Sequence, residues 1–322
     1  MAQTSTTLAG IVAGPSHSDN LALKVFSGEV MKSYNVATKL KGRIRERTIK
    51  SGKSAQFPAL GKAAAEYHTP GNVILGQSMN HGEKIIYIDD MLIASHFVSN
   101  YEEAMNHYET RSELAAQAGD ALAQAYDQHG FAIATKAAVN GTTGAVTEMG
   151  PATEAKIGTS PTISNIIDEI YRSAAFLDGT NVPQSDRVVF VTPDTYWDLI
   201  QDGSFLNRDF GNANGNQASG GLMRVAGMEI VASNNLNLNF GTDTLAGRRA
   251  GSAVADYTVD GRATVALILQ KQALGTVKLM NLATEKDYQT ERQGTLMVTR
   301  MAVGHGVLRP DAIRLISAKA AT

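Results

Sequence analysis

Between Tyr101 and Ala138 the chain has no proline and many alanines and glutamines, the composition of a long helix. At about 100° per residue, Tyr108, Ala115, Leu122, Tyr126 and Ile133 cluster on one side, so the helix needs a core to lie against. On the opposite side Glu102, Glu109, Glu113, Asp120 and Asp127 form a narrow stripe without lysine or arginine. A solvated helix face normally mixes signs for pairing four residues apart, so a one-sign stripe predicts a basic partner. Arg111 falls on the apolar side, where it reads as a buried ion-pair partner, an interface contact or a snorkelling side chain.

The opposite charge is concentrated elsewhere. Residues 41–53 hold six basic side chains and one acid, whereas 101–129 hold six acids and one base. Lys41, Arg43, Arg45 and Arg47 alternate with other residues, so an extended strand would project all four from one face; Lys50 and Lys53 follow. We therefore expect the segment carrying Lys41, Arg43, Arg45, Arg47 and Lys53 to dock on Glu102, Glu109, Glu113, Asp120 and Asp127 of a neighbouring subunit.

Residues 49–90 read as a long two-stranded loop. Glycines stand at 52, 61, 71, 76 and 82, prolines at 58 and 70, and "EKIIYIDD" at 83–90 is a strand leading back. Loops of this length in compact domains are usually functional or disordered. Within it, Gly52-Lys53-Ser54 resembles the end of a phosphate-binding loop. That motif needs another glycine five positions before Gly52, where this chain has Arg47, and a strand running into a helix, where Pro58 follows. A nucleotide-binding enzyme using Lys53 is the weaker alternative.

Residues 1–18, of Ser, Thr, Gly and Ala character, predict a flexible arm. Asp19 is a candidate N-cap for a helix with Leu23, Phe26, Val30 and Tyr34 on one face. After a Gly/Thr-rich linker at 140–160, Ser160 and Pro161 are expected to open a helix with apolar Ile163, Ile166, Ile167, Ile170, Ala174 and Leu177, closed by Gly179. "RVVFV" at 187–191 predicts a buried strand, Thr192 the cap of a third helix, and "MEIVA" and "VALIL" further strands, giving an α/β or α+β domain across 161–272. Trp197 is expected in the core, with a subunit contact second. Loops at 201–222 and 233–262 read as exposed connections, and 277–316 as strands with turns at "GHG" (304–306) and "RPD" (309–311).

Several classes are excluded. No apolar run approaches the roughly 20 residues of a membrane helix, and the first residues lack a secretion signal, so a cytoplasmic site of synthesis and folding is expected. There is no cysteine for disulfides or thiolate ligands, and a net charge of −2 argues against a general nucleic-acid binder. The seven histidines form no HExxH pattern. His81-Gly82-Glu83, the Asp89-Asp90 pair, Ser112 near Glu113 and Ser164 near Asp168 read as ordinary polar positions, with no histidine at a spacing that would activate a serine. No catalytic residue, metal or cofactor is expected.

Several segments, in order along the chain, carry a family resemblance: "LALKVFSGEV" (21–30), "SGKSAQFPALG" (51–61), "EEAMNHYETRSE" (102–113), "DRVVFVTPDTY" (186–196), "GTVKLMNLATE" (275–285) and "MAVGHGVLRPDA" (301–312). Together they resemble the major capsid proteins of T7-like short-tailed (podovirus) phages. The resemblance implies an α+β chain of the Hong Kong 97-type capsid fold: an N-terminal arm at 1–48, an E-loop at 49–90, a P-domain with the spine helix at 91–160, an A-domain at 161–282, and C-terminal P-domain strands at 283–322. It also implies hexamers and pentamers closing into an icosahedral head around double-stranded DNA, held non-specifically, with a scaffolding protein and a portal protein as assembly partners. A cellular nanocompartment (encapsulin-like) shell of the same fold is the alternative. Some shells of this fold join an E-loop lysine to a neighbour's asparagine; Lys53 and Lys62 would be the candidates, but T7-like relatives imply non-covalent assembly.

Overall fold

The computed structural model describes residues 17–63, 65–71, 73–74, 76, 78–101, 110–146, 148–201, 215–216, 221–222, 224–236 and 257–319. Side chains of 17–24, 110–111, 215–216 and 221–222 lie outside that description. So do the proposed arm up to residue 16, Tyr108, Glu102, Glu109, the Arg111 side chain and most of the two central loops.

The chain divides into two compact units, the first drawn from 1–38, 91–125 and 280–302, the second from 39–90, 126–279 and 303–322. In the first, helix α1 (His17–Ala37) packs Phe26 and Val30 on Ala115 of the long helix α2 (Thr110–Val139) and on Met297, with Leu282 against them. Gly119 makes this approach feasible, because a Cβ there would lie 2.6 Å from the Val30 carbonyl oxygen. Strand β4 (Leu92–Ser99) runs antiparallel to β13 (Gly294–Val307), pairing Gly294 with Ser99 through to Met301 with Leu92.

The second unit is built on a six-stranded sheet in the order β5 (Thr153–Lys156), β14 (Ile313–Ser317), β11 (Thr264–Gln270), β6 (Arg187–Val191), β10 (Met228–Ala232) and β9 (Arg224–Val225), while the short strands β7 (Gly215–Asn216) and β8 (Gly221–Leu222) pair with each other. Its central strands β6 (Arg187–Val191) and β11 (Thr264–Gln270) are buried at every position, the outcome expected of continuous apolar runs covered on both faces. Strand β10 (Met228–Ala232) is parallel to β6, and β9 (Arg224–Val225) antiparallel to β10. β14 (Ile313–Ser317) is antiparallel to β11, and β5 (Thr153–Lys156) is parallel to β14. The sheet thus takes strands from both sides of residues 161–282. Helix α3 (Ile163–Gly179) buries Ile166, Ile170 and Leu177, and Phe131 of α2 meets Phe190 of β6 edge-on at 5.0 Å.

The long loop has a zipped base in this unit. β2 (Ser54–Leu60) and β3 (His81–Tyr87) pair antiparallel from Ser54–Tyr87 to Leu60–His81, and Ala55, Phe57 and Ile86 pack on Val277 and Leu308. β1 (Arg45–Thr48) runs parallel to residues 275–278 of β12 (Leu274–Gln289). Gly52-Lys53-Ser54 therefore leads into a strand, the wrong context for a phosphate cradle.

Local expectations are corrected in five places. α1 starts by His17, so Asp19 is inside the helix. α3 is capped by Thr162, whose hydroxyl accepts from the Asn165 amide, and not by Ser160. Only Arg45–Thr48 is extended, because Lys41–Arg43 form a turn around Gly42 at φ +80°; the four cations do not share one strand face. Trp197, on α4 (Pro193–Gln201), is 60% exposed, since Thr195, Leu199 and Ile200 take the buried side. The "GHG" segment continues β13 without a turn. Its glycines permit close approach of β3: a Cβ at Gly304 would lie 2.0 Å from the Tyr87 carbonyl oxygen, and one at Gly306 2.7 Å from Ile86 Cγ1. Thr192 does cap α4, accepting from the Thr195 amide at 3.4 Å.

Gly304→Ala is expected to destabilise the unassembled subunit by about 3 kcal/mol, since backbone cannot swing aside as a side chain does. Gly76→Ala, where nothing lies within 4 Å of the added carbon, should be near neutral; urea unfolding of the two variants checks the contrast.

Candidate intersubunit surfaces

The acidic stripe of α2 is not one surface. Glu113 is exposed and accepts from Gln117 one turn on, at 3.3 Å. Asp120 is also exposed and accepts from the Ser33 hydroxyl. Asp127 is fully buried, a correction to its place in an exposed stripe. One carboxylate oxygen accepts the Lys39 amide at 2.7 Å and the other the Leu40 amide at 3.1 Å. The helical pitch contributes to the difference, because a seven-residue spacing drifts by roughly 20° per step. The larger reason is that residues 39–40 lie over this turn of α2 and need acceptors for their amides.

Burial pushes the Asp127 carboxyl up from 3.8 to about 6, against the two amide bonds and the charges of Lys39 and Arg43, which pull it down. The segment bearing Lys41 and Arg43 therefore starts from a carboxylate clamp within its own chain.

The basic residues separate as well. Arg43 pairs with Glu229 at 2.5 Å and donates to the Lys39 carbonyl at 2.9 Å, so it is largely engaged. Arg45 and Arg47, exposed on β1, stack over the buried Phe57 ring at 5.5 and 5.8 Å. Arg47 also donates to the Gln56 carbonyl at 2.6 Å. Between them Glu46 faces the other way and pairs with Lys278 at 2.6 Å. Lys41, Lys50 and Lys53 are exposed, and Lys53 has no carboxylate partner among the described residues.

Sequence reading passed over a larger feature of the long loop. Tyr67, Val73 and Ile74, between β2 and β3, are 105%, 82% and 76% exposed. Their signal was three large apolar residues in a segment without period. Elsewhere, Asp89 accepts from the buried Tyr257 hydroxyl at 2.5 Å, and His129 stacks on that ring at 4.3 Å, a packed polar cluster rather than an open acid–base pair. Among the described residues no cluster of three His, Asp or Glu side chains is placed to hold a metal, and no helix is long and apolar enough to cross a membrane.

The Asp127 carboxyl carries a signed pH dependence. Its folded value lies above its unfolded one, so the native chain holds this proton between about 6 and 3.8 where the unfolded chain releases it. Its contribution to stability therefore grows as pH falls through that window, and above it the ionised group is a cost. Relative to Asp127→Asn, the wild-type subunit should gain about 2–3 kcal/mol on going from pH 7 to pH 4. Chemical denaturation of both proteins across that range measures the gain, and parallel curves would contradict it.

Comparison with known proteins places these surfaces in context. The family described as Gp10A-like major capsid protein matches residues 56–316. The major capsid protein of Enterobacteria phage T3 is 32% identical over 329 residues, covering 93% of this chain and 92% of the T3 protein. The major capsid protein of Escherichia phage T7 is 32% identical over 328 residues, covering 94% and 93%. A chain of the cyanophage P-SCSP1u capsid superposes with a TM-score of 0.75 at 34% identity, covering 89% of both chains. One from the mature capsid of bacteriophage PhiM1 gives 0.71 at 18% identity, covering 98% of this chain and 91% of that one, and speaks to the fold alone. The architecture is accordingly the Hong Kong 97-type capsid fold. A family match across most of the chain, and relatives at this identity over nearly their full lengths, establish that the chain belongs to the Gp10A-like family of phage major capsid proteins, structural components of the virion.

Proposed function

We propose that the chain is the shell subunit of a phage head, forming hexamers and pentamers that close into an icosahedral capsid around double-stranded DNA. Assembly takes place in the bacterial cytoplasm, with a scaffolding protein shaping the shell and a portal protein occupying one vertex. The subunit carries no catalytic role. In this reading residues 1–48 are the arm, 49–90 the E-loop, 91–160 and 283–322 the P-domain, and 161–282 the A-domain.

The exposure of Tyr67, Val73 and Ile74 in the E-loop is the observation that carries the reading. Large apolar side chains bare to water in a soluble chain ask for a partner surface, and in a closed shell every subunit has a neighbour to supply it. A net charge of −2 also suits a lining that must release DNA, since strong phosphate binding would oppose ejection.

The charge contact is proposed in reduced form. We place Arg45, Arg47 and Lys53 against Glu113 and Asp120 of a neighbouring subunit; Glu102 and Glu109 lie outside the described residues, and Lys41 and Arg43 act nearer the Asp127 clamp. Each exposed pair contributes about 0–1 kcal/mol, so the effect lies in repetition over the shell and in salt sensitivity.

Coexpressed with its scaffold, the chain should sediment as large particles containing no covalent multimers; persistence as a monomer under every assembly condition would refute the shell reading. A ladder on a denaturing gel of mature particles would instead reveal a lysine crosslink. Arg45→Glu with Lys53→Glu should reduce assembly at physiological salt, and adding Glu113→Lys with Asp120→Lys should restore it. Independent effects of the two sets would separate the surfaces. Purified particles that hold protein cargo and no DNA would favour the nanocompartment alternative.

A further inference from the structure

Two patches of opposite charge lie on the sheet-based unit. The first is a cleft of about 510 Å3 at one end of the sheet, beside the start of β6, the start of β10 and the residue following β11. Exposed Lys41, Arg224 and Lys271 line it with Arg43 and Arg187, against the carboxylates of Asp186 and Glu229. The two inner arginines are already engaged: Arg187 with Asp178 and the Val182 and Pro183 carbonyls, Arg43 with Glu229. Arg224 and Lys271 have no carboxylate partner among the described residues, so the cleft presents surplus positive charge.

The second patch is the outer face of α4, where Asp194, Trp197 and Asp198 are exposed together. Spacings of three and four residues put these side chains side by side on a helix. α4 begins two residues beyond Val191, the other end of β6 from the cleft, and β6 itself spans about 13 Å. No ion pair joins the two patches within the chain among the described residues.

We infer that the Asp194–Trp197–Asp198 face of α4 docks into the Lys41/Arg43/Arg224/Lys271 cleft of the adjacent copy of this chain, forming the head-to-tail contact that closes each ring. The inference rests on the shell reading and assigns one of its contacts. Charge complementarity selects the occupant: two carboxylates meet the surplus cations, while the indole supplies a face for a guanidinium, an arrangement in which tryptophan and arginine contribute strongly. DNA phosphates fit less well, because Asp186 and Glu229 stand in the cleft and would repel a uniformly anionic backbone. Two different patches on one unit also form a heterologous contact, the kind that generates rings when the rotation closes.

The absence of cysteine from the chain permits a clean test. Asp198→Cys and Arg224→Cys are combined in one chain, coexpressed with the scaffold, and the particles are oxidised and run on a non-reducing denaturing gel. The expected result is a ladder extending beyond the dimer and ending at the ring size, absent from either single variant. A band pattern that remains monomeric, or stops at the dimer, overturns the inference. In parallel, Asp194→Lys with Asp198→Lys, or Arg224→Asp with Lys271→Asp, should each lower particle yield by about tenfold, the factor given by ~1.4 kcal/mol per contact. The four changes together should recover most of the yield. If the cleft variants assemble normally but their particles lose DNA, the cleft binds phosphate and the docking contact is refuted. Failure of the wild-type chain to form particles at all would remove the shell reading itself, a result distinct from normal particles that do not crosslink.

Discussion

Burial of the central strands on both faces is the constraint from which the sheet-based unit follows. Nothing in β6 or β11 reaches solvent, so both sides of the sheet must be covered by other elements. α3 supplies one apolar face through Ile166, Ile170 and Leu177, and the C-terminal half of α2 brings Phe131 onto Phe190. The C-terminal half of the long helix thus has a place in the core here, which explains why Tyr126 and Ile133 are buried.

Polar groups then set the positions of segments that apolar packing leaves free. Asp127 holds the two amides that precede the basic segment. Thr276 and His305 lie 2.8 Å apart beneath the edge-on ring of Tyr126. Such contacts contribute modestly when made and cost more when broken inside a core. They help set where β1 lies against β12, and through it where the strands of the long loop depart.

The loop strands are rooted firmly and the loop tip is left bare. Phe57 and Ile86 are buried at its base, whereas Tyr67, Val73 and Ile74 are exposed. A buried base with an exposed apolar tip suits the shell subunit proposed above, and the exposed Trp197 on α4 fits the same proposal. Within a family of capsid proteins, the proposed assembly would give these surfaces a common explanation.

Much of the fold was legible because local chemistry decided it. Continuous apolar runs marked β6 and β11, Thr192 marked the start of α4, and the apolar side of α2 followed from helical spacing, all read from neighbours within a few residues. The family resemblance was legible too, because it rested on many segments in order. Other outcomes depended on contacts far apart in the chain. Arg43 finds Glu229, 186 residues away, and no local pattern distinguishes it from Arg45. Asp127 looked like Asp120 until residues 39 and 40 covered it. Glycines 304 and 306 read as a turn, whereas their role is to admit the backbone of β3. In each case the sequence by itself determined which residues were apolar, charged or small, and tertiary structure decided which of them met water. Burial depends on the neighbours a side chain acquires after packing, and only the folded chain brings those neighbours together.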